Sequence, residues 1–322
     1  MCGIGGFYKT GDGKAPIEAI ESLWTALEAR GTHASGFALQ WEDSDAPVVF
    51  KAKGEASMHL TKLNHFAGSG ANVRYAMLHT RYTTQGSVDY NGNNHPVVSQ
   101  GIILTHNGVL WNDDNIFSEL GVSRCHQVDT EAINASLSLC GPGWTADNVQ
   151  GSMSIAWVEE DNPDTVHLMT NGNNPLVIGR TNDGDVVWCS TMGILERTDF
   201  VMSDVFHAVP YKMYSIGPDG AIRSRFVSEQ RADPDRGWQM HASQRTYRGE
   251  WGFGTSAPKK KARKARKSSK KAKSISRDVT ITKDGKKHRR LRADGELSDD
   301  IESYLLVQGW IKDKHGDWRC VE

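Results

Sequence analysis

The chain has 322 residues, 38% of them hydrophobic, which is too long for one small domain and enough to bury a sizeable core. Its net charge of -1 hides a split: residues 1–258 hold 18 Lys and Arg against 29 Asp and Glu, while residues 259–322 hold 20 against 10, so only the second part has an evident affinity for polyanions. Five cysteines, an odd number without zinc-type spacing, argue against a disulfide or zinc scaffold, and the lack of any long apolar run or leader pattern predicts a cytoplasmic protein without a membrane partner.

In chain order, Met1–Tyr8 reads as a short strand. Pro16 opens a helix whose Ile17, Ile20, Leu23, Trp24 and Leu27 recur at helical spacing, and Arg30-Gly31 closes it. Strand-like runs follow at Phe37–Trp41, Val48–Lys53, Tyr75–Leu78 and Val97–Thr105, with helical patches near Asn112–Leu120 and Asp129–Leu139. A second series of strands is expected at Met153–Val158, Val166–Met169, Leu176–Ile178, Val186–Ser190, Ala208–Ile216 and Ala221–Val227, the last two joined by a turn at Pro218-Asp219-Gly220. Two strand sets with helices between them predict two packed sheets covered by helices, an α+β fold. Residues 228–274 read as a linker containing the basic run Lys259–Lys273, and residues 275–322 as a small α+β unit. In that unit we expect a strand at Val279–Thr282 turning at Asp284-Gly285, a helix capped by Ser298, and a hairpin joining Trp310–Ile311 to Trp318–Val321.

Four clusters carry chemistry, each beside a plain structural alternative. Cys2 becomes an N-terminal nucleophile with its own α-amine as base if Met1 is removed; otherwise it is an ordinary cysteine. Arg81, at the end of an apolar strand before Tyr82, Thr83, Thr84, Gln85 and Gly86, has the planar fork to hold a free carboxylate, or is a surface arginine. Asn107-Gly108 is a turn signature, or supplies a side-chain amide and a backbone N–H to stabilise an oxyanion. Asp129 is a helix N-cap, or a carboxylate for a substrate ammonium.

Together with Arg30–Gly36 (RGTHASG) and Asn93–Pro96 (NNHP), the strings MCGIGG, HTRYTTQG, THNG and VDTE resemble the glutaminase domain of class II glutamine amidotransferases, over roughly residues 2–225. The resemblance implies a four-layer αββα Ntn-hydrolase sandwich over residues 1–227. It implies that Cys2 attacks the side-chain amide of L-glutamine to form a thioester, with Asn107 and Gly108 as oxyanion donors, Arg81 on the α-carboxylate and Asp129 on the α-ammonium. It also places Tyr82, Thr84 and His95 in the substrate pocket, and requires neither cofactor nor metal. Tyr82 stands where many members have tryptophan and Gln85 where many have histidine, both on the loop expected to close over glutamine.

The remaining residues offer no P-loop, isomerase-sized or adenylating region, so the ammonia acceptor is expected on a separate synthase chain. The basic run is either a solvated tail or a docking site for nucleic acid or an acidic partner, which would point to nucleotide or nucleic-acid modification. Two other readings are an inactive Ntn scaffold tethered by its tail, and an amidase acting on another amide.

Overall fold

A computed structural model describes residues 1–11 and 13–228 in full, and the backbone of short strands between 275 and 321. The chain divides into two units, Met1–Ser228 and Glu229–Glu322. The strands of the first unit are β1 (Gly3–Tyr8), β2 (Ala34–Trp41), β3 (Val48–Lys53), β4 (Val73–Arg81), β5 (Val97–Ser99), β6 (Ile102–Leu110), β7 (Gly151–Glu159), β8 (Asn162–Thr170), β9 (Val177–Thr181), β10 (Val186–Cys189), β11 (Met202–His207), β12 (Lys212–Ile216) and β13 (Ile222–Phe226). Its helices are α1 (Ile17–Ala26), α2 (Leu60–Ala67), α3 (Asp113–Leu120), α4 (Thr130–Asn148) and the single turn α5 (Met192–Leu195).

Two antiparallel sheets result, one of seven strands in the order β11-β9-β10-β1-β4-β2-β3 and one of six in the order β13-β12-β8-β7-β6-β5. Strand alternation explains how they stack. On the seven-stranded sheet, Ile4, Tyr8, Ala38, Tyr75 and Met77 point inward and meet Ile103, Ala156, Val158, Leu168 and Ile216 of the other sheet. The intervening Phe7, Phe37, Leu39, Ala76 and Leu78 point outward to Ile20, Leu23, Trp24 and Leu63 of α1 and α2. Helix α4 covers the far face of the six-stranded sheet, and α3 packs against α4. The layers are therefore helix, sheet, sheet, helix, as the sequence led us to expect.

The apolar stripe of α1 lies on the sheet as its spacing requires, and its last turn tightens into a 3-10 segment, Leu27–Arg30. Trp24 adds a directional tie by donating its indole N–H to the carbonyl of His79 at 3.1 Å. The inner face of β1 must leave room for a large neighbour: a Cβ on Gly6 would fall 2.1 Å from the buried Trp188 ring and 2.5 Å from the Ala76 carbonyl.

Several boundaries differ from the sequence reading. The expected strand Val97–Thr105 is a hairpin, β5 and β6, turned at Gln100 and Gly101, both with positive φ. Asn107-Gly108 is no turn; it lies inside β6, paired with β7. The expected strand Ala208–Ile216 begins only at Lys212, and β11 before it carries no apolar signal because it is a sheet edge and largely solvated. Helix α2 is unexpected as well: of its eight residues only Leu63 and Ala67 are buried, too few for a readable stripe.

In the second unit β14 (Ile275–Ile281), β15 (Lys287–Ala293), β16 (Ile311–Lys312) and β17 (Trp318–Val321) form an antiparallel sheet in the order β14-β15-β17-β16. The expected hairpin is present as β16 paired with β17, and the expected strand at Val279 is the end of a longer one. The Ser298 helix, the turn at Asp284-Gly285 and the run Lys259–Lys273 lie outside the described residues.

The tight approach at Gly6 yields a stability prediction. Gly6→Ala should lower the urea midpoint by the equivalent of about 1–3 kcal/mol through overpacking against Trp188 and the β4 backbone; an unchanged midpoint would contradict that packing.

Candidate active site

Strand β1 runs in the middle of its sheet, between β10 and β4, and Cys2 precedes it by one residue. The register pairing Gly3 with Thr80 brings Cys2 beside Arg81 at the end of β4. Cys2, Arg81, Tyr82, Thr84, Gln85, His95, His106, Gly108, Val128, Asp129 and Thr130 line one pocket. Seven of the eight residues singled out in the sequence are on that wall, and the eighth, Asn107, reaches the main chain of Cys2.

The nucleophile candidate is fixed by its carbonyl. Arg30 donates from Nε to Cys2 O at 2.7 Å. With the Asn107 amide oriented to match donors with acceptors, Nδ2 also donates to Cys2 O at 2.9 Å and Oδ1 accepts from Arg30 Nη2 at 3.2 Å. Asn174 holds the Asn107 main chain in turn, donating from Nδ2 to its carbonyl at 2.9 Å. The thiol is 8% exposed and donates to the carbonyl of Tyr82 at 3.5 Å. Burial pushes its pKa up, while that contact, the terminal amine and Arg81 pull it back. A protonated thiol needs a base before it can attack.

Arg81 is buried and spread over three acceptors: Nη1 donates to Asn94 Oδ1 at 2.7 Å, and Nη2 to the carbonyls of Gln85 and of Gly86, the latter at 3.1 Å. Its fork thereby staples the far end of the loop after β4, and Nε and one Nη1 hydrogen remain to meet an anion. Asp129 is placed as an N-cap, yet its side chain does not cap: Oδ2 accepts from the backbone N–H of Leu110 at 2.8 Å. The cap reading of that carboxylate is therefore corrected, and the Asp129 N–H goes to Gln85 Oε1 at 3.0 Å. Gly108 admits no side chain, since a Cβ would fall 1.9 Å from the Ser152 carbonyl.

Three buried histidines, His95 and His106 on this wall and His79 behind it, have protons that can be assigned. His106 Nε2 faces the Ser152 carbonyl at 3.2 Å and must carry the hydrogen, which leaves Nδ1 to accept from Thr130 Oγ1 at 3.1 Å. Thr130 has then spent its proton, so His95 Nε2, 2.9 Å away, is the donor to it. His79 Nε2 donates to the His106 carbonyl at 3.1 Å, and its ring stacks on His95 with centroids 4.1 Å apart. All three are Nε2–H and neutral: burial lowers the pKa of His79 to about 3, takes that of His95 well down, and outweighs the pull of Asp129 on His106. Because Thr130 donates to His106, its 3.5 Å contact with Asp129 Oδ1 is secondary, and that oxygen is available to a cation. Among the described residues no cluster of His, Cys, Asp or Glu could hold a metal ion, and no helix is long and apolar enough to cross a membrane.

Residues 79–197 match the glutamine amidotransferase domain family. The chain carries a class II glutamine amidotransferase domain. Glutamine–fructose-6-phosphate aminotransferase (isomerizing) of Shouchella clausii is 31% identical over 211 residues, covering 62% of this chain and 34% of that protein. The protein of the same name from Chlamydia muridarum is 29% identical over 192 residues, 56% of this chain and 30% of its own length. The chain thus spans about a third of the length of the curated relatives it matches. Glutamine phosphoribosylpyrophosphate amidotransferase from B. subtilis, solved with ADP and GMP, superposes with a TM-score of 0.55 at 19% identity, over 71% of this chain and 50% of that one. A second structure, described as the allosteric regulatory enzyme of purine biosynthesis, gives 0.53 at 21% identity, over 71% and 49%. The amidotransferase domain therefore has the αββα Ntn-hydrolase fold.

Sequence reasoning passed over Arg30, His79, His106, Thr130 and Asn174, although all five stood within the quoted strings or their continuation. His79 and Arg81 are two apart on one strand, so they share a face, which was a usable signal. Arg30 was read only as the end of a helix.

The neutral histidines make acid stability diagnostic. Below about pH 6.5 the unfolded chain protonates these rings while the folded domain resists, down to about pH 3 for His79, so the unfolded state binds more protons and stability falls with falling pH. The slope is roughly 1.4 kcal/mol per pH unit for each such ring. Urea unfolding of the amidotransferase domain should show that loss below pH 6.5 and a plateau above it; constant stability from pH 8 to 5 would contradict the assignment.

Proposed function

We propose that the amidotransferase domain hydrolyses the side-chain amide of L-glutamine, and that Cys2 is its nucleophile. The observation that supports this reading is the grouping of a thiol, an arginine and a carboxylate on the wall of one pocket. Removal of Met1, whose side chain is exposed, leaves the α-amine on Cys2, where it takes the thiol proton. The thiolate attacks the amide carbon, and the oxygen of the tetrahedral intermediate is met by Asn107 Nδ2 and the Gly108 N–H. The amine returns the proton to the leaving nitrogen, ammonia departs, and water resolves the thioester to glutamate. Arg81 binds the α-carboxylate and Asp129 Oδ1 the α-ammonium; Tyr82, Thr84 and His95 shape the pocket.

The relatives are about three times longer than the matched segment, and their names describe transfer to a sugar phosphate. For this chain we propose that the ammonia passes to a synthase on another polypeptide, with the basic run Lys259–Lys273 docking the chain to a polyanionic partner such as nucleic acid. The reading that the domain is an inactive scaffold is disfavoured by the retention of Cys2, Arg81, Asn107 and Asp129 together.

A diazo-ketone analogue of glutamine should label Cys2 of Met1-free protein, with glutamine protecting, as read from the mass of the N-terminal peptide. Absence of an adduct on processed Cys2 would reject the glutaminase reading. Purification of the native complex should recover a synthase in stoichiometric amount, and a native assembly without one would count against the separate-chain acceptor.

A further inference from the structure

The loop after β4 is fastened at both ends, and its middle is held by the His33 side chain and touched by the Cys2 thiol. At its start the Arg81 carbonyl accepts from the His33 backbone N–H at 3.0 Å. At its end the Arg81 fork and the Asp129 N–H grip Gln85 and Gly86. Between them, the Thr83 N–H donates to His33 Nδ1 at 3.0 Å, and the half-exposed Tyr82 ring stacks on the same imidazole, centroids 4.7 Å apart and planes 28° off parallel. The Tyr82 carbonyl rests on the Cys2 thiol. Whatever holds Tyr82 and Thr83 in place therefore also keeps the nucleophile covered.

We propose that His33 is the positioning residue of this lid: its neutral imidazole clasps residues 82–84 shut over Cys2, and its protonation releases them. The proposal rests on the reading of the pocket as a glutamine site. The physical reason is that Nδ1 can accept the Thr83 N–H only while it is unprotonated. In the imidazolium form two N–H groups face one another and the bond is lost. The lid is therefore looser once Nδ1 carries a proton and tighter while it does not.

The charged and titratable groups on the surrounding elements are engaged elsewhere. Arg30, on the 3-10 turn before His33, binds Cys2 O, and Glu28 on the same turn accepts from the Ser57 N–H. Lys53, at the end of β3 beside the His33 carbonyl, pairs with Asp89 at 2.8 Å, and His59 faces the Lys53 carbonyl at 3.1 Å. Arg81 is held by Asn94, Gln85 and Gly86. The Thr83 N–H and the Tyr82 ring are thus the contacts that respond when His33 takes a proton.

The test compares Cys2 alkylation by iodoacetamide in three proteins: wild type, His33→Asn and His33→Ala, between pH 5.5 and 8. Asparagine places Oδ1 close to the position of Nδ1 and does not titrate, so it keeps the acceptor at every pH. The ratio of wild-type to His33→Asn rates cancels the ionisation of Cys2 and of the buried histidines, which both proteins share. We expect a ratio near one at pH 8, rising by a factor of about 2–10 toward pH 5.5, the weight of one hydrogen bond. His33→Ala should be alkylated faster than wild type at pH 8 and show no further rise relative to His33→Asn in acid. A wild-type to His33→Asn ratio that stays flat across the range overturns the proposal, even if His33→Ala fails to fold. Iodoacetamide needs no amino-acid clamp, so this result is independent of whether the diazo-ketone labels the protein.

Discussion

Everything in this site is arranged around one carbonyl oxygen, that of Cys2. Arg30 and Asn107 both donate to it, one charged and one neutral, and they hydrogen-bond to each other. Cys2 lies just outside the paired residues of β1, where a strand end would otherwise fray. Fixing the carbonyl solves this without engaging the sulfur, whose contact is with the carbonyl of Tyr82. The same two donors tie the outer helix layer of one sheet to the other sheet, since Arg30 follows the helix packed on the outer face of the first and Asn107 lies on a strand of the second.

The polar groups behind the site follow a division of labour that burial imposes. Three histidines, one threonine and two backbone carbonyls are linked in a fixed direction, with His95 donating to Thr130, Thr130 to His106 and His106 to Ser152, while Nδ1 of His79 and of His95 is left without a partner. In a region this dry a charged ring would cost far more than a neutral one, so these side chains order the strand that carries Asn107 and Gly108 without supplying charge. The charges that remain, Arg81 and Asp129, sit at the pocket wall, and each is partly neutralised by the protein and partly open.

How much of this was legible depended on whether a residue's role shows in its neighbours along the chain. The two-sheet architecture was readable because β1, β2, β4, β6 and β7 alternate or run apolar over many residues. Edge strand β11 and helix α2 were not, because they bury too little to leave a pattern. Cys2, Arg81, Gly108 and Asp129 could be picked out because their chemistry is unusual for their local setting. Arg30 and His33 could not, because their function is a contact made with residues that only the fold brings near. Asn107-Gly108 shows the reverse failure: local rules favour a turn, and pairing with β7 overrides them.

The central place of β1 has a consequence for how the domain comes together. Its six residues pair on one side with positions 75–80, and four of them, Gly5–Tyr8, pair on the other with positions 186–189. The strand is therefore completed by a neighbour roughly 180 residues further along the chain, which gives the domain many contacts of long sequence separation and makes slow closure the expectation. Until β10 docks, the strand behind Cys2 is an open edge able to pair with any other chain. The chemistry of the site is thus tied to the integrity of a hairpin, β9 and β10, that contributes no side chain to the pocket wall.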